Sequence, residues 1–359
     1  MSRAPVLPAI GRGALGRRTA AIVATALLTL GLATACAGST QNSDSAGGIP
    51  TVTIGKAVDT IGFSAVDVAI AKGYFKDAGV NVKTELLQGS SQTNAALQGG
   101  SIQFATLSSN ALLLASSQGV NLQAVASLDY GASLQFVVTK NWIDSHHLAT
   151  TQPLKQRVLG LQGAEDAAIS STGTQFLKLL LGKEGADQGS IKYVTVGSDA
   201  AGATALQHGT LQIFVGSPPS TYYIARQAGA QILATGSEIP QWKNMAYDLL
   251  TTTPDYAKQN PKTTTAVATA LARAENLMRA DPNAVLSLET QHFPSYSSSD
   301  LLQSLKVVQW APNGLFTQTM WDDALTVTKA TGALAGNVNV SQGSLWTNQY
   351  INQAAASKL

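Results

Sequence analysis

The sequence predicts an α/β fold of two lobes, in which mostly parallel sheets are flanked by helices. Three observations support this prediction. The chain has 359 residues, enough for two domains. Helix-like and strand-like segments alternate along it. A ten-residue motif occurs twice. The copies are AALQGGSIQF at 95–104 (copy 1) and TALQHGTLQI at 204–213 (copy 2). Each is typical of a helix end, a glycine stop and a short apolar strand.

Each copy of this repeat leads into a serine. Ser108 follows copy 1, and Ser217 follows copy 2 at the same offset. In open α/β sheets, ligands bind at the carboxyl ends of the strands, so two such edges facing each other would form a ligand cleft between the lobes. We therefore expect Ser108 and Ser217 to face one interlobe cleft. Chance similarity of two helix–strand joints is the alternative interpretation.

The other elements follow from local pattern. A helix that opens at Ser64 is expected to end near Gly73, because glycine commonly stops helices. A helix rich in Ala, Leu and Val is stopped by Asp281-Pro282, and the apolar run LQFVVT predicts a buried strand. In chain order, the predicted elements are a strand from Val52, a helix at Ser64–Lys72, a strand from Val80, a strand at Leu134–Thr139, a return strand at Ala246–Thr252, and helices at Thr263–Ala280 and Gln318–Lys329.

These elements are assigned to two lobes joined by two crossing segments. Lobe 1 is expected to comprise residues 51–133 and 247–359, and lobe 2 residues 134–246. The crossing segments are placed near Ser127–Thr139 and Ala246–Thr252.

The first 35 residues predict an export signal. They contain four arginines and no acid, and an uncharged run occupies residues 19–35. A charged start followed by an apolar run is typical of a signal peptide. A membrane span is the competing interpretation, but the run is slightly short and is diluted by small residues and threonines. The Arg17-Arg18 pair leaves the choice between Sec and twin-arginine export open.

Cys36, the only cysteine, follows Leu32-Ala33-Thr34-Ala35, which resembles the bacterial lipobox. The resemblance implies that Cys36 is lipidated, becomes the first mature residue and anchors the protein to the outer face of the cytoplasmic membrane. Residues 36–50 are rich in Gly, Ser, Asn and Gln and predict a flexible tether. The alternative is a plain signal peptide in which Cys36 is incidental.

The net charge of the mature chain argues against nucleic acid as a partner. Removing residues 1–35 leaves 19 basic and 21 acidic residues, a net charge near −2. No basic patch remains that would favour nucleic acid. With one cysteine, no intramolecular disulfide is possible, so the fold depends on burial of its core.

One segment resembles a protein family. Residues 69–80 (AIAKGYFKDAGV) are similar to the A-x-x-x-G-Y-F-x-x-x-G phrase of substrate-binding proteins of ABC importers, in the nitrate, sulfonate and thiamine-pyrimidine branch. The resemblance covers about residues 51–335. It implies a type II periplasmic-binding-protein-like fold, capture of a small molecule, a permease with its ATPase as partners, and a monomer. The chain departs from the family at Gln103 and Gln212, where Asp is common, and at an apparent small insertion at 164–171.

The candidate ligand residues lie in loops that open helices. Helix N-termini carry free N–H groups and partial positive charge, so several that converge can bind an anion without arginine. Aromatic side chains could cover a ring or an alkyl chain. Helix capping is the alternative role for each Ser and Thr, and core packing is the alternative for Phe63 and Tyr222. The candidates are Thr60, Phe63, Ser64, Ser90, Ser91, Ser108, Ser109, Asn110, Tyr130, Thr172, Gly173, Thr174, Ser217, Pro218 and Tyr222.

The sequence gives little reason to expect an enzyme. It contains no G-x-S-x-G, H-E-x-x-H, Walker A or S-x-x-K motif. Its four histidines show no metal-ligand spacing, so we expect no metal and no cofactor. Asp59, Asp129 and Asp199 lie at strand ends or in loops; each could accept a hydrogen bond from a cationic ligand, but solvated loop acids are the commoner case. An extracellular sensor with the same fold remains an alternative, and a pyrimidine synthase is disfavoured because the cysteine-rich motif of those enzymes is missing.

Overall fold

The computed structural model describes residues 48–87, 89–168, 171–356 and 358, all within the compact unit Ala46–Leu359. The predicted signal peptide, Cys36 and most of the predicted tether lie outside the described residues. Among the helices that are described, none is both long enough and apolar enough to cross a membrane.

Strands and helices alternate over most of the described chain. The strands are β1 (Thr51–Lys56), β2 (Asn81–Leu86), β3 (Phe104–Ser108), β4 (Gln123–Ser127), β5 (Asp129–Tyr130), β6 (Gln135–Val138), β7 (Glu165–Ala168), β8 (Lys192–Thr195), β9 (Ile213–Gly216), β10 (Gln231–Thr235), β11 (Asp248–Thr252) and β12 (Gln309–Trp310).

The helices lie between these strands and after β11. They are α1 (Ala65–Ala71), α2 (Tyr74–Asp77), α3 (Ser90–Gln98), α4 (Ser109–Ser117), α5 (Lys140–Ser145), α6 (Leu154–Leu159), α7 (Ser171–Lys183), α8 (Asp199–Gln207), α9 (Ser220–Ala228), α10 (Pro240–Lys243), α11 (Pro254–Gln259), α12 (Pro261–Ala280), α13 (Asn283–His292), α14 (Ser298–Val307), α15 (Gln318–Ala330) and α16 (Gln353–Ala356).

Two five-stranded sheets have the same topology. Sheet I has the order β2-β1-β3-β11-β4, and sheet II has the order β10-β6-β9-β7-β8. Read from opposite ends, β2, β1, β3, β11 and β4 correspond to β8, β7, β9, β6 and β10. Each sheet is mostly parallel, with one antiparallel strand, β11 in sheet I and β6 in sheet II. That strand is the first one formed after the chain has crossed from the other sheet.

The chain crosses between the sheets twice. It leaves sheet I after β4, forms the short strand β5, and enters sheet II at β6; it returns after β10 through α10 to β11. β5 pairs with β12, from the C-terminal part of the chain. Tyr130 of β5 also forms a bridge with Ala246, so the two crossing segments touch each other just before the sheets begin.

The apolar cores differ in extent. One cluster packs α1 and α12 against sheet I and includes Val66, Leu250 and Leu271. A second, smaller cluster packs α8 and α9 against sheet II. A third cluster runs from Leu107 of sheet I to Phe136 of sheet II, through residues of the returning segment. The sheets are therefore joined by a continuous apolar core on the side of α10 and α15.

The repeat is a structural repeat. In copy 1, the N–H of Gln103 donates to the Thr53 carbonyl, its side-chain oxygen accepts from the Thr53 N–H (2.9 Å), and its amide nitrogen donates to the Gly100 carbonyl (3.2 Å). In copy 2, Gln212 makes the same three bonds to Glu165 and Gly209, each at 2.8 Å. Both glycines have positive φ, which favours glycine at that position. Chance similarity is therefore the wrong interpretation.

Element boundaries differ from the predictions by at most two residues. The long helix begins at Pro261 rather than Thr263, because proline suits the first turn, where its missing N–H is not needed. The return strand begins at Asp248 rather than Ala246, because Ala246 forms only the isolated bridge to Tyr130.

Candidate functional site

The predicted ligand loops follow neighbouring strands. Thr60 follows β1, Ser90 follows β2 and Ser108 ends β3. These three strands are parallel neighbours in sheet I, so the loops lie side by side at one edge. In sheet II the equivalent positions are the start of α7 after β7 and Ser217 after β9.

Tyr247 joins these two edges. Its carbonyl accepts the N–H of Ser109 at 2.7 Å, and its buried hydroxyl lies near the Ser217 side chain. The next residue, Asp248, is the register partner of Ser108. Burial raises the pKa of the Tyr247 hydroxyl, and the nearby Asp248 carboxyl raises it further. Ser109, next to Ser108, therefore contacts the backbone of Tyr247, and Ser217 lies near the side chain of the same tyrosine.

The predicted ligand residues at the edge of sheet I have different side-chain partners. The Ser108 hydroxyl accepts the N–H of Ala111 at 3.2 Å and caps α4. Ser64 is fully buried and donates to a Glu289 carboxylate oxygen at 2.9 Å. Phe63 lies in the apolar core of sheet I, as its alternative interpretation held. Ser108 thus has its own helix as partner, while Ser64 and Phe63 are engaged with the interior.

The remaining candidates of this edge have few partners. Ser109 is fully buried, and its hydroxyl has no hydrogen-bond partner in the described part of the chain. Thr60 and Asn110 are half-buried. The two serines that open α3 become more exposed along the helix: Ser90 is half-buried and Ser91 is exposed.

Candidates on the second edge line the starts of α7 and α9. Ser217 is half-buried and Pro218 is buried. The Tyr222 hydroxyl accepts the side-chain N–H of Gln135 at 3.2 Å. A Cβ at Gly173 would lie 2.6 Å from the Val215 carbonyl oxygen, so the start of α7 rests directly on β9. The side chains of Thr172 and Thr174 lie outside the described residues.

Tyr130 is a half-buried residue of the first crossing segment. Its backbone pairs with Gln309 and forms a bridge with Ala246, and its side chain packs on the core shared by the two sheets. It is therefore placed where the two crossing segments meet.

Three carboxyl groups lie behind the first edge. The Asp129 carboxylate accepts the Asp248 N–H at 2.8 Å, and the two carboxyl groups are also hydrogen-bonded to each other. Burial raises the pKa of Asp248 to about 7. Burial and the Asp248 charge hold the pKa of Asp129 well above its usual range, and burial does the same for Glu275. A hydrogen-bonded pair of this kind is expected to share a proton.

Asp129 is therefore not the solvated loop acid that the sequence suggested. It is completely buried, because β5 is covered by β12 on one side and by the returning segment on the other. A Cβ at Gly62 would collide with the Asp248 carboxylate, so the turn after β1 lies directly over the pair. Among the described residues, no lysine or arginine forms an ion pair with these carboxyl groups.

A second charged group surrounds Asp59. His292 Nε2 lies 3.0 Å from Asp59 and 3.7 Å from Asp67, and all three side chains offer atoms at metal-ligand spacing. The Lys56 ammonium, however, lies 2.7 Å from Asp59 and 2.9 Å from Asp67. Burial alone would lower the pKa of Lys56, but the two carboxylates raise it. The carboxylates therefore already have a cation, and the arrangement is an ion-pair network.

Sequence reasoning missed Tyr247 and Asp248. Both lie immediately before or at the start of the return strand. A strand that returns antiparallel beside β3 begins where β3 ends, so its first residues belong to the same edge as Ser108. That signal was present in the prediction of a return strand.

Comparisons with known proteins agree on the fold. A family model described as NMT1/THI5 like matches residues 61–285, and no curated protein matches significantly. The chain is similar to the periplasmic aliphatic sulphonate binding protein SsuA of Escherichia coli, with a TM-score of 0.65, 16% identity, and 84% of this chain and 99% of that chain covered. The alkanesulfonate-binding protein SsuA from Xanthomonas axonopodis pv. citri, bound to MOPS, gives 0.61, 17%, 85% and 97%.

A third solved structure, the periplasmic nitrate-binding protein NrtA from Synechocystis PCC 6803, gives a TM-score of 0.55 and 17% identity, with 70% of this chain and 69% of that chain covered. At these identities the likeness concerns the fold. The two matching sheets and their crossings are those of the periplasmic binding protein fold, as the sequence predicted.

Proposed function

The chain belongs to the NMT1/THI5-like family, and from that premise we propose that it is an extracytoplasmic solute-binding protein of an ABC importer. It captures a small molecule between the edges of sheets I and II and delivers it to a permease driven by a separate ATPase. It acts as a monomer and not as an enzyme.

The observation that carries this proposal is the meeting of the two edges at Tyr247. In sheets of this kind, ligands bind beyond the carboxyl ends of the strands. Here two such ends, marked by Ser108 and Ser217, both lie beside Tyr247. A molecule held there would contact both halves of the protein, as a carrier that closes around its cargo requires.

The proposed ligand is a small anion of the nitrate, sulfonate or taurine kind, or a small aromatic compound such as a pyrimidine. Helices α3, α4 and α7 open at the edges, and their free N–H groups suit an anion. Half-buried Tyr222 offers a ring at the second edge. The structural neighbours named for alkanesulfonate and nitrate binding are consistent with the anion class.

The proposed lobes are residues 51–133 with 247–359, and residues 134–246. Cys36 is proposed to carry the lipid that anchors the protein to the outer face of the membrane. In a Cys36→Ala variant, the protein should move from the membrane to the soluble or secreted fraction. Retention of the variant at the membrane as firmly as the wild type would refute the anchor.

A thermal-shift screen of purified protein tests the ligand class. The three probes are sodium nitrate, taurine and 4-aminopyrimidine. A true ligand at a hundredfold excess over its Kd stabilises by about 2.7 kcal/mol, so the melting temperature should rise with concentration for at least one probe. Sodium chloride at equal ionic strength is the control. No specific shift with any probe would count against both ligand classes.

A further inference from the structure

Helices of the two halves meet at a second place, far along the chain from the crossing segments. Helices α8 and α9 pack on sheet II through Leu206 and Ile224. Helix α14 packs on the core of sheet I through Leu301 and Leu305. The starts of α8 and α14 and the body of α9 contact one another across the gap between these two cores.

Tyr296, just before α14, makes the first set of contacts. Its hydroxyl donates to a carboxylate oxygen of Asp199 at 2.6 Å, and Asp199 is the first residue of α8. Its ring packs edge-on against that of Tyr223, with centroids 5.8 Å apart. The Ser220 side chain at the start of α9 also lies near the Tyr296 hydroxyl. One tyrosine from the sheet I side therefore touches two helices of the sheet II side.

An ion pair makes the second set of contacts. Arg226 of α9 donates to the Asp300 carboxylate of α14 from Nη2 at 2.8 Å and from Nε at 3.2 Å. The arginine side chain is 48% exposed, but that of Asp300 is only 5% exposed. An arginine that donates two N–H groups to a buried carboxylate makes a stronger and more strictly oriented contact than an ion pair between two exposed side chains.

The contact of Tyr296 and α14 with α8 and α9 is mostly polar, so these helices can separate and meet again repeatedly. The apolar clusters on its two sides are separate, so parting the helices exposes little apolar surface beyond the Tyr223–Tyr296 ring contact. On the opposite side, by contrast, one apolar cluster runs through both halves. Polar partners can exchange their bonds for water at small net cost, whereas a continuous core cannot be opened so easily.

We propose that Tyr296, Arg226, Asp199 and Asp300 form a latch that holds the two halves together in the closed state. They are positioning residues: they set how much of the protein is closed and thereby the apparent affinity for any ligand that requires closure. The latch extends the proposed function by naming what balances opening against closing.

Pulsed EPR distance measurements test the latch without a ligand. Spin labels are attached at Gln207→Cys on α8 and Gln303→Cys on α14, both exposed positions, in a Cys36→Ser background. Tyr296→Phe removes only the hydroxyl, and Arg226→Gln removes only the charge. Each should lower the ratio of short to long label distances about tenfold, equivalent to about 1.4 kcal/mol.

Two further variants separate a latch from general damage. The charge exchange Arg226→Asp with Asp300→Arg should restore much of the short-distance population. Lys140→Gln breaks an exposed ion pair within α5 and should leave the distances unchanged. Unchanged distances in both Tyr296→Phe and Arg226→Gln would overturn the latch, as would an equal change in Lys140→Gln.

These outcomes are independent of the ligand screen. If no probe binds but the distances shift, the latch stands and the proposed ligand classes fall. If a probe binds with the same Kd to wild type, Tyr296→Phe and Arg226→Gln, and the distances do not change, the latch falls while solute binding stands.

Discussion

The two copies of the repeat are alike up to the end of the strand and differ just beyond it. Gln103 and Gln212 make the same three hydrogen bonds. Past the strands, Ser108 caps its own helix, whereas Ser217 lies near the Tyr247 hydroxyl and α9 has no side-chain cap. The repeat therefore builds the scaffold twice, and the residues after it give each half its own role at the site.

The two sheets also differ in their buried carboxyl groups. Titration of these groups should give the largest change in the free energy of unfolding. In sheet I, burial raises the pKa of Asp248 to about 7 at the edge that bears Ser108. In sheet II, burial raises that of Asp166 to about 8, but Asp166 pairs with Ile213 at the opposite end of β9. A group whose folded pKa is raised stabilises fully below its unfolded value and loses that contribution as pH rises through the folded value.

The free energy of unfolding should therefore fall as pH rises from about 4 to about 8. Asp129→Asn and Asp166→Asn keep the shape of the neutral acid, so each should flatten part of this slope and exceed the wild type in stability above pH 8. Urea denaturation at a series of pH values measures it. A wild-type stability that rises steadily over this range would contradict the burial of neutral carboxyl groups.

The two glutamines provide a direct test of equivalence. Gln103→Leu and Gln212→Leu each leave a strand N–H, of Thr53 or of Glu165, without its side-chain acceptor. Each should destabilise by about 1–3 kcal/mol, and by similar amounts. Gln98→Leu, at an exposed position at the end of α3 within copy 1, is the control. A large cost in only one copy would show that the copies are not energetically equivalent.

The serines should give the smallest effects and the clearest difference. Ser108→Ala removes a helix cap, which costs about 1 kcal/mol, and should speed amide exchange at the start of α4. Ser217→Ala removes a hydroxyl beside Tyr247 but no cap, so exchange at the start of α9 should stay as in the wild type. Hydrogen exchange followed by mass spectrometry measures both. Equal fraying of α4 and α9 would erase the distinction.

The strands and helices of the scaffold were predictable because short stretches of sequence determine them. Glycine stops, apolar runs and helical spacing placed the repeat, the return strand and the long helix within two residues of where they lie. Ser108 and Ser217 were also placed at strand ends, and they lie at the carboxyl ends of β3 and β9.

Partnerships between distant residues were not predictable. Its local sequence predicts that Asp129 is a loop acid. In the fold, β12, about 180 residues further along the chain, covers it. The Ser64–Glu289 bond and the Tyr296–Asp199 bond depend on how the C-terminal helices return to the two sheets. No local pattern specifies such contacts, because they arise from packing between elements that are not neighbours in sequence.

Isothermal titration of a probe that passes the thermal-shift screen tests the central claim most directly. The titration compares wild type with Ser108→Trp, Ser217→Trp and the control Ser101→Trp, which changes an exposed serine at the other end of β3. If ligand lies between the two edges, both Ser108→Trp and Ser217→Trp should abolish binding, while Ser101→Trp binds as the wild type does. Unchanged affinity in either Ser108→Trp or Ser217→Trp would show that the ligand is not held between the two edges.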